Sequence, residues 1–145
     1  MFTHTNIIPF EPKNFPQQEK PILMESFIAA GFPSPAEDYR SKSLDLHEHL
    51  VKHPAATFFV RVEGDSMINV GIFSGDLLIV DRSLPADFGK IVIALIDDEF
   101  TVKRLLQKNG HIVLQPENPA FAPIIVKQPE HLIIWGVVTY VIHHL

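Results

Sequence analysis

The 145 residues are 46% apolar and 20% charged, a balance that suits one modest globular core and excludes a disordered chain. A formal charge of −5, with Lys103-Arg104 as the only adjacent basic pair, argues against a broad phosphate-binding face and hence against direct sequence-specific DNA binding. The absence of cysteine excludes disulfides, thiolate catalysis and thiolate metal sites, and no apolar run approaches the roughly 20 residues of a membrane-spanning helix. The opening MFTHTNIIPF lacks the basic start and apolar run of a signal peptide, so the expectation is a cytoplasmic protein with no membrane association.

In chain order, residues 1–20 hold Pro9, Pro12 and Pro16 with little periodicity and read as an extended arm. PILMESFIAA (21–30) predicts a short helix, with Pro21 at its first position and Gly31 just past its end. The turn-rich GFPSPAEDY follows. Asp45 and Glu48 have capping-box spacing, and Leu46 and Leu50 lie four apart, which predicts a second short helix stopped by Pro54.

From Thr57 the pattern is strand. TFFVRVEG alternates, with Phe58, Val60 and Val62 on one face. DLLIVD (76–81) is a short buried run. KIVIALI (90–96) and FTVKRLL (100–106) flank Asp97-Asp98-Glu99, and Asn109-Gly110 separates the latter from HIVLQ, which predicts two tight hairpins. HLIIWGVVTYVI (131–142) predicts a long strand that Gly136 bends or bulges. At least six strands with only short helices predict a twisted, mostly-β domain.

The chemistry begins at Glu63-Gly64-Asp65-Ser66-Met67. Gly64 permits a sharp turn after the first clear strand and lets Ser66 stand with its hydroxyl exposed; taken alone, a serine after Gly-Asp is usually a turn or helix cap. Lys103 sits mid-strand and shares a face with Thr101 and Leu105, opposite Phe100, Val102 and Arg104. On an outward face it is a solvated lysine. On a buried face, desolvation lowers its pKa and makes it a base able to take a serine proton. Ala30-Gly31 offers a small residue followed by glycine, accessible to close backbone approach, and reads otherwise as a helix end.

Three ordered motifs, GFPSPAEDY at 31–39, GDSM at 64–67 and SGDLLIVDRSLPADFGKIVIALIDDEFTVKRL at 74–105, resemble the LexA/UmuD-type self-cleaving Ser–Lys peptidases of family S24, on the UmuD branch. Lys103 follows Ser66 by 37 residues, in line with that family's pattern. The resemblance spans about residues 28–145. It implies a LexA/signal-peptidase-like twisted β domain, with Ser66 as nucleophile, Lys103 as general base and Ala30-Gly31 as the scissile bond. The arm 1–30 is then removed from a peptidase and dimerisation domain, 31–145. The backbone N–H groups of Ser66 and Asp65 are the expected oxyanion donors.

The resemblance further implies a homodimer in the SOS response, cleavage stimulated by a RecA–single-stranded-DNA filament, and a processed form that joins a UmuC-like Y-family DNA polymerase subunit in mutagenic translesion synthesis. Residues 1–27 match nothing familiar, and about 30 residues of Pro-rich arm are too few for the helix-turn-helix domain of a complete repressor. The alternatives are a non-catalytic binding module of the same fold and a truncated phage-type repressor peptidase domain. No cofactor is expected. His49 and His53 are four apart, but no third ligand has a recognisable spacing, so no metal site is expected among the eight histidines. Trp135 and Tyr140 read as core or dimer-interface residues.

Overall fold

The computed structural model describes residues 21–24, 27–33 and 41–145. The chain divides into two compact units, 1–49 and 50–145. That division is one of packing, whereas the boundary expected at Ala30/Gly31 is that of a cut. The arm 1–20 and most of the turn-rich 31–39 lie outside the described residues.

In the first unit, β1 (Ile22–Met24) pairs antiparallel with β2 (Ser41–Ser43), with Ile22 opposite Ser43 and Met24 opposite Ser41. The Leu44 N–H extends the ladder to the carbonyl of Pro21 at 2.8 Å. The helix expected over 21–30 is therefore replaced at its start by a strand. A short Ile-Leu-Met run fits either conformation, and a partner strand well downstream decides between them. Residues 27–33 are irregular, with bends at 30–32, so Gly31 caps no helix. The helix α1 (Leu46–Leu50) forms where expected, and the Glu48 N–H donates to Asp45 Oδ1 at 3.1 Å.

The second unit is a seven-stranded antiparallel sheet in the order β3-β4-β9-β5-β6-β7-β8. Its strands are β3 (Thr57–Arg61), β4 (Leu77–Asp81), β5 (Ile91–Ile96), β6 (Glu99–Lys108), β7 (His111–Gln115), β8 (Ile124–Val126) and β9 (Leu132–Ile142). The β5–β6 hairpin turns on Asp97 and Asp98, at φ 47° and 64°, and the β6–β7 hairpin on Asn109 (φ 51°) and Gly110 (φ 78°). Both are the left-handed two-residue turns that suit twisted strands. The six expected strands are present; β2 and β8, three residues each, were too short to show a period. Among the described residues no helix is long and apolar enough to cross a membrane.

β9 is the central splice. It pairs with β4 on one side and β5 on the other, and β4 and β5 do not pair with each other. Against β5, Gly136 opposes Ile93 and Ile134 opposes Ala94, which leaves Trp135 as the extra residue of a bulge; against β4, Thr139 is extra in the same way. The expected irregularity at Gly136 is thus carried by its neighbour. Glycine is needed for another reason: a Cβ there would lie 2.5 Å from Val80 Cγ1 and 3.2 Å from Arg82 Cγ.

Alternation along the strands builds a core on each face. Val62, Met67, Ile72, Leu78, Val80 and Ile93 form one cluster. Val92, Ala94, Leu105, Leu114, Val126 and Val137 form the other. Phe58 stays 43% exposed but is covered by Trp135, at 5.1 Å between ring centroids. Arg82 lies over the indole at 4.6 Å and donates from Nε to the Trp135 carbonyl at 2.8 Å. The domain is mostly β with short helices, as expected.

Candidate active site

Beyond β3 the chain stays anchored for one more residue. The Val62 N–H donates to the carbonyl of Asp76, and its own carbonyl accepts from Gly75, at 2.9 and 2.8 Å. Gly64, at φ 98°, then turns the backbone through a conformation that side chains disfavour, held by a bond from its N–H to Ser74 Oγ. On the far side of the turn Met67, 2% exposed, is sunk in the same cluster as Val62. Ser66 is the half-buried residue between this anchor and the turn.

Lys103 comes from the middle of β6, where it pairs in register with Val92. It is 8% exposed, so the buried alternative for its face is the one observed. Its Nζ lies 3.0 Å from Ser66 Oγ, 2.7 Å from Thr101 Oγ1 and 3.1 Å from the Val102 carbonyl. Among the described residues no carboxylate pairs with it. Desolvation therefore acts without compensation and lowers the lysine below its ordinary value. The structure brings Ser66 and Lys103 together across three intervening strands of the sheet.

Both residues line a cleft of about 570 Å³. One wall is the continuous stretch Val60–Ser66, which prolongs the edge strand β3; Ile93, Phe100, Phe121 and Trp135 supply apolar surface. Asp65 and Ser66 both face this cleft, and their carbonyls bond away to the β7–β8 connection, at 2.9 Å to Asn118 Nδ2 and 2.8 Å to the Glu117 N–H. Ala30 and Gly31 belong to the first unit, where they lie exposed in a bend flanked by the fully exposed Phe27 and Phe32.

Among the described residues no group of three or more His, Asp or Glu is disposed to hold a metal. His53 is instead paired through Nδ1 to Asp81 Oδ2 at 2.6 Å, and His143 to Asp76 Oδ1 at 2.6 Å. Burial alone would raise Asp76, but the Phe73 N–H and His143 outweigh it and hold the carboxyl below the usual range. Burial likewise opposes Asp81, which Ser83 and His53 draw down.

Sequence reasoning put Thr101 on the face of Lys103 without giving it a role; its spacing of two in a strand was the available signal. Glu117 and Asn118 were missed. Asn118 reaches Asp65 across 53 residues, and no local pattern announces such a contact.

A peptidase S24-like family model matches residues 21–139. Protein SamA of Salmonella typhimurium is 49% identical over 132 residues, 91% of each chain. Protein MucA of Escherichia coli is 52% identical over 115 residues, 78% of this chain and 77% of the relative. The LexA repressor of Caldicellulosiruptor saccharolyticus is 50% identical over 100 residues, 69% of this chain but 49% of the repressor.

Proposed function

The chain belongs to the S24 peptidase family as a UmuD-like member, and from that premise we propose that it is a Ser–Lys peptidase that cuts its own Ala30–Gly31 bond. The observation that supports this most is the buried, desolvated Lys103 amine 3.0 Å from Ser66 Oγ. A neutral amine has two N–H donors and one lone pair. Thr101 Oγ1 and the Val102 carbonyl accept the two donors, which leaves the lone pair for the Ser66 hydroxyl proton.

In the first step that proton passes to Lys103 Nζ as Ser66 Oγ attacks the Ala30 carbonyl carbon. The resulting alkoxide oxygen is stabilised by backbone N–H groups at Ser66 and Asp65. The ammonium then gives its proton to the Gly31 nitrogen, and the C–N bond breaks to leave an Ala30–Ser66 ester. Water, deprotonated by the again neutral Lys103, hydrolyses the ester and regenerates both residues. Among the described residues β3 is an edge strand, and its edge along the cleft suits an extended peptide, which gains main-chain hydrogen bonds there.

The biological reading is an SOS-response regulator in the cytoplasm, acting as a homodimer. A RecA–single-stranded-DNA filament accelerates the cut, and the processed form works with a UmuC-like Y-family DNA polymerase subunit in translesion synthesis. A hundredfold acceleration requires the filament to favour the cleavable state by about 2.7 kcal/mol.

Mass spectrometry after mild alkaline incubation tests the central claim. A fragment beginning at Gly31, absent from Ser66→Ala, is expected; an intact wild-type chain leaves a non-catalytic binding module. Unchanged cleavage with RecA filament would remove the SOS role, and a monomer by light scattering at micromolar concentration would remove the dimer.

A further inference from the structure

The peptide planes on either side of Ser66 are both fixed by two consecutive residues of the β7–β8 connection. On one side, Asn118 Nδ2 donates to the Asp65 carbonyl at 2.9 Å, while Asn118 Oδ1 accepts from the Ala120 N–H at 3.0 Å, so the amide cannot rotate without losing both bonds. On the other, the Ser66 carbonyl accepts from the Glu117 N–H at 2.8 Å, and the Glu117 carbonyl accepts from Asn69 at 2.9 Å. Glu117 is itself held at its side chain: Arg104 Nε donates to Glu117 Oε1 at 2.6 Å, and Arg104 Nη1 to the Gly89 carbonyl at 2.5 Å. Arg104 follows Lys103 on β6, so one strand carries the amine into the cleft and, through the next residue, the brace of the serine loop.

A trans peptide holds its C=O and N–H pointing in opposite directions, and among the described residues no peptide bond is cis. With the Asp65 carbonyl tied to Asn118, the N–H of Ser66 points the other way. Among the described residues nothing accepts a hydrogen bond from it, and Asp65 and Ser66 both line the cleft. We infer that Asn118 is a positioning residue: by holding the Asp65 carbonyl it aims the Ser66 N–H into the cleft as the oxyanion donor. This rests on the reading of Ser66 as nucleophile.

The test compares pH profiles of self-cleavage for wild type, Asn118→Asp, Asn118→Ala and Ser66→Ala, with thermal melts of each. Asn118→Asp keeps the size and the acceptor for Ala120 but sets a carboxylate oxygen against the Asp65 carbonyl. The alkaline plateau should fall about 10²- to 10³-fold, the loss typical of one oxyanion donor, and Asn118→Ala should fall at least tenfold. The pH midpoint of Asn118→Ala should stay in place, because none of the three bonds of Lys103 involves Asn118, whereas the carboxylate of Asn118→Asp favours the ammonium and moves that variant's midpoint to higher pH. A plateau within threefold of wild type in both variants overturns the inference. So does a loss in Asn118→Ala that comes with a moved midpoint, or unfolding of both variants, since either assigns Asn118 a structural role only. Cleavage by Ser66→Ala would instead overturn the nucleophile reading, a result distinct from either of these.

Discussion

Thr101→Val is the sharpest probe of how the lysine is used. Thr101 Oγ1 makes the shortest of the three polar contacts of Lys103 Nζ, at 2.7 Å. Valine conserves the volume and removes only the acceptor. The stranded N–H of a buried amine costs about 1–3 kcal/mol, and each kcal/mol lowers the melting point by roughly 4–8 °C in a unit of this size. Two kinetic effects then oppose each other. The hydroxyl stabilises the ammonium more than the neutral amine, so its loss lowers the pKa of Lys103 further and moves the cleavage midpoint to lower pH. The lone pair is also less well aimed, and about 1.4 kcal/mol of lost orientation reduces the alkaline plateau tenfold. Time courses by intact mass, from neutral to strongly alkaline pH, separate the two. Thr101→Ser should restore both plateau and midpoint. A midpoint that rises, or a plateau equal to wild type, would refute the assignment of Thr101 as the residue that orients the base.

Lys103→Arg should be folded by circular dichroism and inert at every pH, because a guanidinium stays protonated; cleavage at the wild-type rate would make Lys103 a bystander. Gly136→Ala, on a Ser66→Ala background, should lower stability to urea by about 1–3 kcal/mol through overpacking against fully buried Val80, and an unchanged midpoint would show that Val80 can give way. His143→Ala removes a lowering influence from Asp76. A depressed carboxylate contributes stability above its unfolded pKa and loses it as pH falls through its folded pKa, so the variant should acid-unfold at higher pH than its parent; a midpoint unmoved or lower would contradict this.

The strand half of the fold was legible because period-two alternation and the Asp-Asp and Asn-Gly turns are local signals that tertiary contacts reinforce. The helix expected over 21–30 failed because Ile22, Leu23 and Met24 carry no decisive period and their partner, Ser41–Ser43, lies beyond any local window. At the site, Ser66 and Lys103 stood out through motif and face. What the sequence hid was the support: Asn118 and Glu117 act through single backbone bonds to Asp65, Ser66 and Asn69, and such bonds place almost no constraint on neighbouring residue types.

The place of β9 also sets a timetable. Proteins emerge from the ribosome from their N-terminus, so the strand that joins β4 to β5 follows every other strand of the sheet into the world. Until Leu132–Ile142 has inserted, the half bearing Ser66 and the half bearing Lys103 share no sheet. A chain ending at Gln128 should therefore neither cleave nor react at Ser66 with a fluorophosphonate; labelling at the full-length rate would contradict this. On the proposed reading of Ala30–Gly31 as the scissile bond, a nascent chain that displays that bond early is thereby protected from cutting it before β9 has been synthesised.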